Sequence, residues 1–151
     1  MAFHVCIVDD EPWAAVDAQH SVDWGRFGFK FTRHYSSPAE ALNEIPRMRY
    51  SLILVDIRMP GMDGLELIRR LKEKQVDAHF AILSGYSDFE YARTAIRLGV
   101  QNYFVKPIEP EEIHQHLYQL SRELLTDQPQ LPAIDPQFSE ILEYIDLHAS
   151  E

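Results

Sequence analysis

Three apolar stretches of this chain each run unbroken into a charged group. Val5-Cys6-Ile7-Val8 is followed by the acid pair Asp9-Asp10, Leu52-Ile53-Leu54-Val55 ends on Asp56, and Tyr103-Phe104-Val105 leads into Lys106-Pro107. Short apolar runs without helical periodicity read as strands buried on both faces, the form strands take in a parallel sheet. Helical patterns separate the runs, so strand and helix alternate along the chain. Parallel strands share one direction, and groups just past their ends gather at the carboxyl edge of the sheet, where open α/β folds bind ligands. The pattern predicts an α/β fold that brings Asp9, Asp10, Asp56 and Lys106 to one place.

Strands are expected near residues 4–8, 28–34, 52–55, 79–83 and 102–105. Several helix starts are legible. Pro12 suits a first helical turn. Ser37-Pro38-Ala39-Glu40 combines a capping serine, a first-turn proline and an acid three residues after the cap, and Asp63 with Glu66 and Ser87 with Glu90 repeat that spacing. Gly99 falls where a helix should close in a left-handed turn. Pro110-Glu111-Glu112 opens a last helix whose Ile113, Leu117, Leu120 and Leu124 share one face. Five β/α units are thus complete by about residue 125. Residues 126–136 carry three prolines and read as a semi-rigid linker. From 137 to 151, Phe138, Ile141, Leu142 and Ile145 recur at helical spacing, a stripe too short to stand alone in water.

Composition narrows the function. Twenty-four acids against 14 lysines and arginines give a formal net charge of −10, a poor footprint for nucleic acid, which is bound by clustered cations. One cysteine, Cys6, sits inside the first strand and offers no disulfide framework. The start of the chain lacks the pattern of a signal peptide, and no apolar run approaches membrane-spanning length. A soluble cytoplasmic protein without a membrane partner is the expectation.

Three gathered carboxylates repel one another unless a cation joins them, and oxygen-only ligands favour a hard divalent ion such as Mg²⁺. Lys106 adds a fixed positive charge suited to an anion beside that metal. An acidic metal site with a lysine points to phosphoryl chemistry. Asp56 is then a carboxylate nucleophile, with Asp9 and Asp10 holding the metal. The acids would otherwise serve as helix caps, which are common at strand-to-helix turns; capping leaves Lys106 unexplained. Ser84 could be a plain turn serine beside Gly85, and Tyr103 a half-buried packing residue. His114 and His116 are two apart on a helix and cannot face one another, so they are not expected to bind metal. The aromatic stretch Trp24 to Phe29 reads as core at the start of the second strand.

Taken in order, Asp9-Asp10, Asp56, Ser84 and Lys106-Pro107, at the ends of the first, third, fourth and fifth strands, resemble the receiver domain of two-component response regulators over residues from about 3 to 125. The loop Asp56-Ile57-Arg58-Met59-Pro60-Gly61-Met62-Asp63-Gly64 closely resembles that family's turn after the phosphorylated aspartate. The resemblance implies a flavodoxin-like (βα)5 fold, a five-stranded parallel sheet with helices on both faces. It implies that Asp56 is the phosphoacceptor, that Asp10 and Asp56 bind Mg²⁺ directly with the backbone carbonyl of Arg58, and that Asp9 acts mostly through water. It further implies that Lys106 and the Ser84 hydroxyl contact the phosphoryl oxygens, and that Ser84 and Tyr103 form a switch pair. Arg58 and Tyr86, two residues past Asp56 and Ser84, would control water access; both are bulky, which predicts a phosphorylated form lasting minutes or longer. The partners implied are a sensor histidine kinase, DNA through an output domain absent from this chain, and a second copy of the chain on phosphorylation.

Val22-Asp23-Trp24-Gly25-Arg26-Phe27-Gly28-Phe29, Ser84 to Ala92, and Ile141-Leu142-Glu143-Tyr144-Ile145 narrow the resemblance to receivers coupled to AraC-type output domains. Residues 1–125 would be the receiver, 126–136 the linker and 137–151 the start of a truncated helix-turn-helix domain. The chain is expected to be a switch and not a metabolic enzyme. The rival reading is a Mg²⁺-dependent phosphohydrolase with an aspartyl nucleophile, which would want a second acid two residues after Asp56; Arg58 stands there and transfers no proton at neutral pH. A nucleotide-binding module is disfavoured, because Asp9-Asp10-Glu11-Pro12 would repel the phosphates a Gly-rich loop cradles.

Overall fold

The computed structural model describes residues 2–85 and 89–126. The expected Ser87 cap, the role of Tyr86, and the linker and terminal helix beyond residue 126 lie outside the described residues. Five strands, β1 (Phe3–Val8), β2 (Phe29–Tyr35), β3 (Leu52–Asp56), β4 (His79–Ser84) and β5 (Asn102–Val105), alternate with α1 (Pro12–Ser21), α2 (Pro38–Glu44), α3 (Gly64–Glu73), α4 (Phe89–Arg97) and α5 (Pro110–Thr126). They form one sheet in the order β2-β1-β3-β4-β5, with every neighbouring pair parallel.

The apolar runs become strands buried on both faces because successive side chains alternate sides. Cys6, Val8, Ile53, Val55, Phe80, Ile82 and Tyr103 pack on one side with Ala41 of α2, Leu67, Ile68 and Leu71 of α3, and Ala95 of α4. Val5, Ile7, Leu52, Leu54, Ala81, Leu83 and Phe104 pack on the other with Ala15 and Ala18 of α1 and Ile113, Leu117 and Leu120 of α5. Each large side chain taken fully out of water contributes about 1.5–3 kcal/mol before entropy. Edge strand β2 is the least buried, with exposed residues between buried Phe29 and Tyr35.

Helix starts follow the caps. Ser37 accepts a hydrogen bond from the Glu40 amide and Asp63 one from the Glu66 amide. The acids three residues on do not complete reciprocal caps; Glu40 pairs with Arg33 and Glu66 with Arg69 and Arg70. Gly99 ends α4 at φ +80°. Two short 3-10 turns, Trp24–Phe27 and Ile45–Arg47, follow α1 and α2. Trp24 is buried, its indole N–H donating to the Ala18 carbonyl at 2.9 Å.

The chain runs from β1 outward to β2, then returns past β1 to β3. Strand order therefore reverses between β1 and β3, and the crevice of such a sheet opens at the carboxyl ends of the two strands flanking the reversal. Asp9-Asp10 and Asp56 stand at those two ends.

Candidate functional site: an acid triad with a lysine

Asp9 directly follows β1 and is held from several directions. Its amide donates to the Tyr35 carbonyl at 3.0 Å, and its own carbonyl lies 2.7 Å from Nε2 of His34. A carbonyl only accepts, so that histidine nitrogen carries the proton. Its carboxylate is also engaged: Oδ1 accepts from the Glu11 amide at 2.9 Å and Oδ2 from Lys106 Nζ at 2.9 Å. Asp9 is fully buried, and these bonds give both of its carboxylate oxygens a partner.

Asp56 ends β3 and is also buried. Its position is set by the turn that follows. The Ile57 amide donates to Leu83 of β4, and the Gly64 amide donates back to Ile57. The first residue of α3 consequently sits against the backbone of Asp56: a Cβ on Gly64 would lie 2.1 Å from the Asp56 carbonyl oxygen. Lys106 Nζ lies 3.3 Å from Asp56 Oδ1, and the Lys106 amide is tied to the Ser84 carbonyl at 2.7 Å. The peptide bond between Lys106 and Pro107 is cis.

The electrostatics follow from this crowding. Burial and the neighbouring Asp9 charge push the Asp56 carboxyl up to about 7, with Lys106 opposing the shift. Burial pulls the Lys106 ammonium down, but its bond to Asp9 and the charges of Asp9 and Asp56 prevail, so it lies above its ordinary value. Lys106 is therefore a permanent cation.

One lysine does not neutralise three acids. One oxygen each from Asp9, Asp10 and Asp56 lies within 4.8 Å of the others. Asp10 Oδ1 is buried with no hydrogen-bond partner among the described residues, a costly state for a carboxylate oxygen. A hard divalent cation would relieve both the repulsion and the orphaned oxygen, and every donor offered is oxygen. The residues fit such an ion.

An open cavity of about 360 Å³ adjoins the triad, lined by Glu11, Trp13, Asp56, Arg58, Ser84, Gly85 and Lys106. Residues 5–118 match the family of response regulator receiver domains. The chain belongs to that family. The receiver is 30% identical to the uncharacterized transcriptional regulatory protein YesN of Bacillus subtilis, over 81% of this chain and 33% of that protein. It is 33% identical to the transcriptional regulatory protein HptR of Staphylococcus aureus, over 85% of this chain and 50% of that protein. The chain thus spans half or less of these relatives' length. Among solved structures, the REC domain of AraT, a response regulator of Geobacillus stearothermophilus, is 34% identical, with a TM-score of 0.77 over 85% of this chain and 99% of that one. A two component transcriptional regulator AraC from Clostridium phytofermentans is 32% identical, with a TM-score of 0.71 over 85% of this chain and 100% of that one.

Within the receiver, Asp9, Asp10, Asp56 and Lys106 are in one cluster, and Ser84 lines its cavity. Tyr103 lies apart, buried on the face shared with Ala95 of α4 and two positions along β5 from Val105, the register partner of Ser84. Arg58 is exposed at the cavity wall. His114 and His116 serve packing: Nε2 of His114 accepts from the Asp23 amide at 3.0 Å, and His116 is buried edge-on to Phe104. Sequence reasoning missed Glu11 and Trp13. Both follow the acid pair at the start of α1, and that adjacency was the available signal.

Proposed function

We propose that this receiver takes a phosphoryl group from the phosphohistidine of a sensor histidine kinase onto Asp56 and passes the change of state to a DNA-binding output segment beyond residue 136. One observation carries the reading: Asp56, buried and lining an open cavity, shares one cluster with the acid pair and with Lys106, whose Nζ lies 2.9 Å from Asp9 Oδ2 and 3.3 Å from Asp56 Oδ1.

An Asp56 carboxylate oxygen attacks phosphorus, forming a P–O bond as the P–N bond of the donor breaks. The imidazole nitrogen keeps the electron pair and takes a proton from solvent. Mg²⁺, held by Asp10, Asp56 and the Arg58 backbone carbonyl, with Asp9 acting through water, would neutralise the phosphoryl oxygens and keep Asp56 ionised. The bonding of Asp9 supports its indirect part, since both its carboxylate oxygens already accept hydrogen bonds, whereas Asp10 Oδ1 has none among the described residues. Lys106 supplies a point charge to one phosphoryl oxygen and Ser84 a hydroxyl to another. Movement of Ser84 toward the phosphoryl group is the switch, with buried Tyr103 responding beside α4 and two copies pairing as a result.

The receiver is a cytoplasmic switch and not a metabolic enzyme. Arg58 stands where an aspartyl phosphohydrolase would need its proton-transferring acid, and among the described residues no helix is long and apolar enough to cross a membrane. With a net charge of −10, DNA contact belongs to the output segment. Incubation with acetyl phosphate tests this. Stoichiometric acid-labile phosphate, dependent on Mg²⁺ or Mn²⁺ and without turnover of a generic phosphomonoester, is expected. Sustained phosphomonoester turnover would support the phosphohydrolase instead.

A further inference from the structure

Trp13 is out of place for a structural residue. It is 52% exposed, although a large aromatic ring gains most from burial. Its position is nonetheless firm: Pro12 opens α1, and Ala14 and Ala15 directly after it are buried. Helical geometry thereby turns the Trp13 ring away from the sheet and toward the cavity it lines with Asp56, Arg58 and Lys106. Lys106 Nζ lies 5.8 Å from the ring centroid, within reach of the ring's negative face.

That cavity is large for its task. A water molecule takes roughly 30 Å³ of liquid, so 360 Å³ holds a phosphoryl group together with several waters. Hydrolysis of an aspartyl phosphate needs one of them in line: the water oxygen bonds to phosphorus, the bond from phosphorus to the Asp56 oxygen breaks, the carboxylate is released, and the water proton passes to phosphate or solvent. Any wall that crowds the approach or fixes the cation on the phosphoryl oxygens changes that rate.

We propose that Trp13 is a positioning and shielding residue for the phosphorylated receiver. Its ring holds Lys106 toward Asp56 and narrows the open side of the cavity, so that it sets how long the phosphoryl group survives. This rests on Asp56 being the phosphoacceptor. The flat face does both jobs, so phenylalanine, which keeps a ring, should substitute in part and alanine should not.

The full chain, Trp13→Ala and Trp13→Phe are loaded with acetyl phosphate and excess Mg²⁺, freed of donor, and followed for loss of acid-labile phosphate. Because the side chain is half in solvent, all three should melt alike, which separates the effect from misfolding. The half-life is expected to fall roughly two- to fivefold in Trp13→Ala, the factor matching one exposed cation–π contact, and to recover toward that of the unchanged protein in Trp13→Phe. Tryptophan emission should change on loading and lose that change in Trp13→Phe, since Trp24 is buried and bonded elsewhere. An unchanged half-life in Trp13→Ala overturns the inference. Failure of the unchanged protein to take up phosphate is a different result: it defeats the phosphoacceptor reading and the inference with it.

Discussion

At the scale of the residue, Asp56 holds its proton more tightly in the folded chain than in the unfolded one, about 7 against an ordinary 3.8. The group favours folding fully below that ordinary value, and the contribution is lost as pH rises through about 7. A tenfold change in proton affinity corresponds to about 1.4 kcal/mol, so a few kcal/mol at most are involved. In chelator, the melting temperature should fall between pH 5 and 8; Asp56→Asn should flatten that fall and Mg²⁺ should reverse it. A fall that persists unchanged in the variant would place the cause elsewhere. His116 acts with the opposite sign. Burial first, and then His79, draw it down to about 4 from 6.5, so its contribution is full above 6.5 and is lost as pH falls through 4. Its Nε2 has no hydrogen-bond partner among the described residues, so His116→Leu should cost little at pH 7 and protect the acid limb in thermal melts. Asp9, Asp10, Asp56 and Lys106 were legible in the sequence because each stands just past an apolar run. The Asp9–Lys106 bond joins residues 97 apart, which only the assembled sheet brings together. Trp13 carried no such mark, since an aromatic in a first helical turn reads equally well as packing.

At the scale of the element, α3 is fastened to the site by its first residue. Gly64→Ala would drive a Cβ into the Asp56 carbonyl, a clash with backbone that cannot be relieved by rotating a side chain. The loss should be about 1–3 kcal/mol or more, with slower phosphorylation as Asp56 is displaced. One residue earlier, Asp63→Ala removes only a cap and should cost about 1 kcal/mol with phosphorylation intact. Denaturant titration alongside the phosphorylation rate checks the contrast, and equal effects of the two on phosphorylation would contradict it. Caps are local, which is why helix starts at Pro12, Ser37-Pro38, Asp63 and Pro110 could be read in advance. The 3-10 turns at Trp24–Phe27 and Ile45–Arg47 could not, because three or four residues carry no period. The reach of Glu40 and Glu66 toward arginines was likewise hidden: Arg33 comes from β2, and Arg69 and Arg70 lie one turn along α3.

At the scale of the whole molecule, two apolar layers enclose a sheet whose strand order reverses between β1 and β3. Alternation of strand and helix was enough to foresee a parallel sheet, but the strand order is a property of how the units stack and follows from no local pattern. The layer that holds α1 is closed by α5, whose Ile113, Leu117 and Leu120 are buried and whose last residue is Thr126. The described residues up to Thr126 supply both apolar layers. Truncation after Thr126 should leave the melting temperature within a few degrees of the full chain, whereas a loss of several kcal/mol would make the remaining residues part of the receiver core.

Locating the phosphoryl group decides whether Asp56 is the acceptor. After loading with acetyl phosphate and Mg²⁺, the acyl phosphate is trapped by borohydride reduction and mapped by mass spectrometry. Modification at Asp56 alone is expected, with no acid-labile phosphate in a folded Asp56→Asn variant. Equal labelling of that variant, or modification at Asp9 or Asp10, would contradict the assignment.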